Sequence, residues 1–171
     1  MYRWALTAAL TLSATLSWAA PAPFGLEIGK ATVADVKAAY PVQPAGTNAY
    51  SGGEMYQIDV SRIDFDGLKA VLAIFGKDGS LQAVSATLDK NRFDAVNQSL
   101  AGKYKAISKQ LPFVGDKRVV YADGQTEIEL NAPHMSFQME MVYATKSLLK
   151  AFKQQRSDDK KNKAKSEASQ L

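Results

Sequence analysis

The sequence predicts an α+β fold: an antiparallel sheet built from two helix-plus-β-meander units, helices packed on one face, then a C-terminal helix and a disordered tail. Three observations lead there. Alternating apolar runs separated by Gly/Asp turns recur in two groups, at 55–88 and 118–143. Each group follows a short stretch with helical spacing. Within a group no helical pattern separates consecutive strands, which rules out the crossovers of a parallel sheet.

The elements follow in order. After the extended segment Phe24-Gly25-Leu26-Glu27-Ile28-Gly29, Thr32 is placed to cap a helix, with Asp35 near the positive end of its dipole. Val33, Val36 and Tyr40 repeat at helical spacing and Pro41 ends the run. A short strand is expected at 47–50, turning at Ser51-Gly52-Gly53, then strands at 55–60, 68–75 and 81–88. The last two are joined by Gly76-Lys77-Asp78-Gly79-Ser80, where Asp and Gly suit the left-handed turn positions. Asn91 is the expected cap of a second helix whose stripe is Phe93, Val96, Leu100 and Tyr104. Three more strands are expected at 118–122, 126–130 and 135–143, with a turn at Asp123-Gly124. A third helix begins at Thr145 and carries Leu148, Leu149 and Phe152. None of these helices is long enough to be stable alone, so each must bury its stripe on a sheet.

The chain has 171 residues, 46% of them apolar and none of them cysteine. That composition can build a core without disulfides and excludes thiol nucleophiles and cysteine metal sites. Residues 1–19 read as a secretory signal peptide: Arg3, an uncharged apolar stretch, then the small-residue exit at Ser17, Ala19 and Ala20. The stretch is shorter than the roughly twenty residues a spanning helix needs. The expected location is therefore the periplasm or beyond, with one α+β domain at 20–156 and a basic tail at 157–171. From Thr145 on, eight basic residues face three acidic ones, whereas residues 21–144 hold 12 basic and 14 acidic. Basicity is thus confined to the C-terminal end, which argues against a nucleic-acid-binding body and allows weak tail contact with anionic surfaces.

The run Gly25-Leu26-Glu27-Ile28-Gly29-Lys30-Ala31-Thr32-Val33-Ala34-Asp35-Val36 resembles the opening of small exported bacterial proteins of the β-lactamase-inhibitor-protein-like group, which includes outer-membrane-assembly lipoproteins of the SmpA/OmlA kind. The resemblance implies an α+β fold and activity by binding other proteins. Two features depart from the lipoprotein branch: no lipid-attachment cysteine is present, and Ala39-Tyr40-Pro41 stands where Gly-x-Pro usually closes the helix.

Candidate sites are few. Tyr50 and Tyr56, with the turns at Asp78 and Asp123, are the expected partner-binding positions, since tyrosine gives contact area with a polar tip. In His134-Met135-Ser136-Phe137-Gln138-Met139-Glu140-Met141, a strand would stack thioethers on one face, so His134, Met139 and Met141 form an alternative Cu(I) set. The competing reading makes those methionines core. Asp64-Phe65-Asp66-Gly67 begins like a calcium loop but lacks its later ligands. Carboxylates among Asp59, Asp64, Asp66, Glu127 and Glu129 leave a small hydrolase as a further alternative. No nucleophile-elbow, P-loop or dinucleotide motif occurs, and no cofactor is implied. The expected function is recognition of an envelope protein through a sheet face and hairpin loops rather than catalysis.

Overall fold

The computed structural model describes residues 20–169. The leader expected at 1–19 and the last two residues lie outside them. The chain runs α1 (Val33–Ala39), β1 (Val42–Thr47), β2 (Gly52–Ile58), β3 (Leu68–Gly76), β4 (Leu81–Asp89), α2 (Phe93–Ala101), β5 (Lys105–Gln110), β6 (Lys117–Asp123), β7 (Thr126–Ala132), β8 (Gln138–Thr145) and α3 (Lys146–Ala168). All eight strands form one antiparallel sheet in the order β1-β2-β3-β4-β8-β7-β6-β5. Each helix-plus-meander unit supplies four consecutive strands, and the units share the sheet through the β4–β8 pair.

Register explains how the core spans both units. Pro44, Tyr56, Ala73, Val84, Tyr143, Ile128, Tyr121 and Ala106 are successive partners across all eight strands. A parallel row runs Ile58, Val71, Ala86, Met141, Leu130, Val119. These side chains share one face because alternate strand residues point the same way. Val36 of α1 and Phe93, Val96 and Leu100 of α2 are buried in the same cluster, so both helices cover this face. Lys37 of α1 lies 4.6 Å over the Tyr56 ring, and Tyr121 donates from its hydroxyl to the Asn97 carbonyl of α2 at 3.0 Å.

The opposite face is left open except where α3 begins. Its rows are Met55, Ile74, Ala83, Ala144, Glu127, Ala122 and Gln57, Leu72, Ser85, Val142, Glu129, Val120. Thr145 caps α3 by accepting from the Leu148 amide, and the first turns of that helix lean on this open face, with the rings of Phe152 and Tyr50 4.8 Å apart.

Local chemistry sets most boundaries. Thr32 and Asp35 form a reciprocal capping box, each side chain accepting from the other's amide. Gly53 is required because a Cβ there would lie 2.2 Å from the Phe75 carbonyl oxygen.

Five boundaries differ from the sequence expectation. The strand expected at 47–50 lies earlier, as β1; residues 48–51 are a turn in which the Asn48 side chain accepts from the amides of Tyr50 and Ser51. Pro44 is tolerated there because β1 is an edge strand. A fourth strand, β5, precedes β6 in a stretch to which the sequence pattern assigns no element. Asn91 does not cap α2: a single 3-10 turn at Lys90–Arg92 intervenes and Arg92 makes no side-chain cap. β8 starts at Gln138, not 135. The polar segment from residue 157, expected as a disordered tail, continues α3 to Ala168 with every side chain exposed. Its four lysines, two alanines and one glutamate favour helix without burial.

Candidate functional site

Antiparallel order sorts the connections to two ends of the sheet. At one end lie the turns at 48–51, 76–80 and 124–125 together with the start of α3. Three of the four expected partner-binding residues gather here, each in a structural role. Asp78 accepts from the Ser80 hydroxyl at 2.8 Å and the Ser80 amide at 3.1 Å, and these bonds hold its carboxyl below the ordinary value. Asp123 is the last residue of β6, and Tyr50 packs on Phe152. The fourth, Tyr56, is buried under α1, edge-on to Phe75, with its hydroxyl donating to Glu54.

The proposed copper set is divided in the same way. Met139 and Met141 are buried in the core, facing Leu88 and Ala86 of β4, whereas His134 sits exposed in the loop before β8. The carboxylates are spread out. Glu129 takes both nitrogens of Arg118, at 2.7 and 2.6 Å, with Glu127 two residues away on the same open face. Asp59 accepts from the Ser61 amide, and Asp66 pairs with Arg92 at 3.1 Å. Among the described residues no three His, Asp or Glu side chains gather as a metal site.

The other end of the sheet holds a feature the sequence reading missed. The β5–β6 hairpin loop exposes Leu111, Phe113 and Val114, and the β7–β8 loop exposes Met135 and Phe137. Phe113 is 103% exposed, Met135 92% and Phe137 95%. The loops are neighbours because Lys117 pairs with Ala132, and the His134 amide donates to Asp116 Oδ1 at 2.6 Å. Lys90 fastens the second loop to the body: its amide donates to the Phe137 carbonyl, and its Nζ donates to the carbonyls of Pro133 and His134. Five large apolar side chains therefore stand in water on anchored loops. The available signal was Phe113-Val114 between Pro112 and Gly115, an apolar pair where turn chemistry calls for polar residues.

Two clefts accompany this tip. On the open face, about 430 Å³ lies between the base of α3 and the sheet, walled by Tyr50, Ile74, Val142, Leu149 and Phe152 with Arg118 and Glu127 at its edge. On the helix-covered face, about 500 Å³ runs beside α2, between that helix, the segment Ala22–Phe24 and the loop 63–65, over a floor of Met141 and Tyr143. Two irregularities border the second cleft. Phe24 holds a left-handed backbone at φ 54°, and no other non-glycine residue among those described has positive φ. Such a conformation costs about 1–2 kcal/mol. The Tyr40 hydroxyl donates to the Phe24 carbonyl at 2.7 Å and the Phe24 ring stands edge-on to Phe65 at 6.0 Å, so neighbouring groups fix the strained residue. Arg92, stacked on Gly67 where a Cβ would come within 2.7 Å, has a buried Nε–H without a partner.

Comparison with protein-family models, curated proteins and solved structures finds no match to this chain.

Proposed function

We propose that this chain is an exported, non-catalytic binding module that recognises another protein of the cell envelope through its hairpin loops and the adjoining open sheet face. The observation that carries the reading is the apolar tip formed by Leu111, Phe113, Val114, Met135 and Phe137. Large apolar side chains concentrated on one exposed patch mark interaction surfaces, and aromatic and methionine side chains dominate the centres of protein interfaces. The tip is held in place by Asp116 and Lys90, so little ordering cost accompanies docking. Export rests on the leader-like residues 1–19, and the resemblance of residues 25–36 to exported binding proteins points the same way.

The test is affinity capture of a native envelope partner by the tagged mature chain, followed by titration of the purified pair. The double variant Phe113→Ser/Phe137→Ser should fold with an unchanged melting temperature, because both side chains are already in water. It should weaken binding by about 2 kcal/mol or more, roughly thirtyfold in Kd. Asp78→Ala/Asp123→Ala, at the other end of the sheet, should leave Kd alone. Binding that survives loss of both tip aromatics overturns the assignment.

A further inference from the structure

The cleft beside α2 has a directional chemistry. Arg92, Ala95, Val96, Ser99, Leu100 and Lys103 line it from successive turns of the chain, so its length follows the helix. Arg92 stands just before the first residue of α2 and Lys103 just past its end, so the nine-residue helix, about 13 Å long at about 1.5 Å per residue, lies between them. Between them an apolar strip is formed by Val96 and Leu100 from the helix, Phe24 and Phe65 from the facing segments and Met141 from the floor, interrupted by Ser99, whose hydroxyl donates to the Ala95 carbonyl.

The two ends are electrically unlike. At the Arg92 end one terminal guanidinium nitrogen is matched by Asp66 at 3.1 Å, Nε–H stays unpartnered, and the Asp64 carboxylate lines the same end, so an anionic head there would face acidic groups. At the other end Lys103 makes no ion pair among the described residues, and Tyr104 and Tyr143 stand beside it with their rings 6.3 Å apart, edge to face. The Lys103 ammonium and the Tyr104 hydroxyl are the donors at this end; the Tyr143 hydroxyl is taken up by Tyr104, and the nearest carboxylate, Asp123, lies beside Tyr104 outside the cleft lining. The volume falls within the 300–1,000 Å³ range typical of small-molecule sites.

We propose that this cleft binds a single-chain amphiphile with an anionic head, its carboxylate or phosphate meeting Lys103 and Tyr104 and its apolar chain lying along α2 toward Phe65. The strained Phe24 then has a use, since its ring forms the wall opposite α2. A neutral ligand forgoes the charge-assisted contact with the exposed Lys103, and a cationic one meets repulsion there. The site lies on the helix-covered face and is independent of the apolar tip.

The experiment uses the mature chain with three ten-carbon probes, decanoate and decyltrimethylammonium below their micelle concentrations and decan-1-ol below its solubility limit. Amide NMR shifts locate binding and titration gives affinity. Decanoate should bind most tightly and shift the amides of residues 95–104 and of Tyr143. Lys103→Gln should weaken decanoate about tenfold and leave decanol unchanged. Ser99→Trp, which fills the cleft, should abolish both; should that variant misfold, Ala95→Leu narrows the cleft more mildly and is read the same way. Equal affinity for the three probes, a Lys103→Gln variant that binds decanoate as before, or shifts confined to residues 111–116 and 133–137 would each overturn the proposal. Decyl phosphate in a parallel titration separates a carboxylate from a phosphate head.

Discussion

Tyr143 lies in the central row of the sheet, and burial pushes its hydroxyl well above the ordinary value of 10.0; burial raises Tyr104 and Tyr121 too. Below pH 10 these phenols are protonated whether the chain is folded or not and contribute nothing to the pH dependence. Above it the unfolded chain ionises while the folded one holds its protons, so stability falls as pH rises. The urea midpoint should therefore drop between pH 8 and pH 10.5, and Tyr143→Phe should shrink that drop; an equal drop in the variant would assign the effect elsewhere. Asp35 and Asp78 run in the opposite sense. Hydrogen bonds from Thr32 and Ser80 lower them below 3.8, so what they contribute is present at neutral pH and lost as acid takes the pH through their folded values.

At the scale of elements, α3 divides at Phe152 into a packed base and an exposed remainder. Before it, Leu148, Leu149 and Phe152 are half-buried against the open face; after it every described side chain is exposed. The ion pairs Lys161–Asp158 and Lys163–Glu167, both at 3.9 Å, are surface pairs of small worth. Removing residues 157–171 should lower the helical circular-dichroism signal yet leave the melting temperature within about 2 °C, the shift expected of a few tenths of a kcal/mol. A larger loss would mean that the distal helix packs on the body. The elements legible in the sequence are those with a buried stripe or a capping residue: α1 from Thr32 and Asp35, β3 and β4 from their runs and turn, α3 from Thr145. Edge strands were not legible. β5 reads Lys105-Ala-Ile-Ser-Lys-Gln because an edge needs charge to discourage further pairing, and that charge hides the strand. β1 hides behind Pro44 and Gly46 for a related reason. The candidate site was legible only in type. Hairpin loops were expected, but Asp78 and Asp123 drew attention through turn chemistry, while Phe137 and Met135 were absorbed into a strand that begins only at Gln138.

For the whole molecule, the decisive join is β4 against β8, where Ala86 faces Val71 on one side and Met141 on the other without exposure. Ala86→Leu should cost about 1–3 kcal/mol by overpacking. Because one core row crosses all eight strands, the loss should appear equally in amide exchange at Tyr56 in β2 and Tyr121 in β6. Unequal loss would mean that the two units unfold separately. The same join fixes where things can happen along the molecule. The apolar loops close one end of the sheet, and α3 starts at the other, its strands between them spanning up to about 30 Å at about 3.3 Å per residue. Past Phe152 the helix adds about 24 Å of lysine-rich surface at about 1.5 Å per residue. The apolar loops and the base of α3 thus lie a full strand length apart, so a change made at one leaves the side chains of the other untouched.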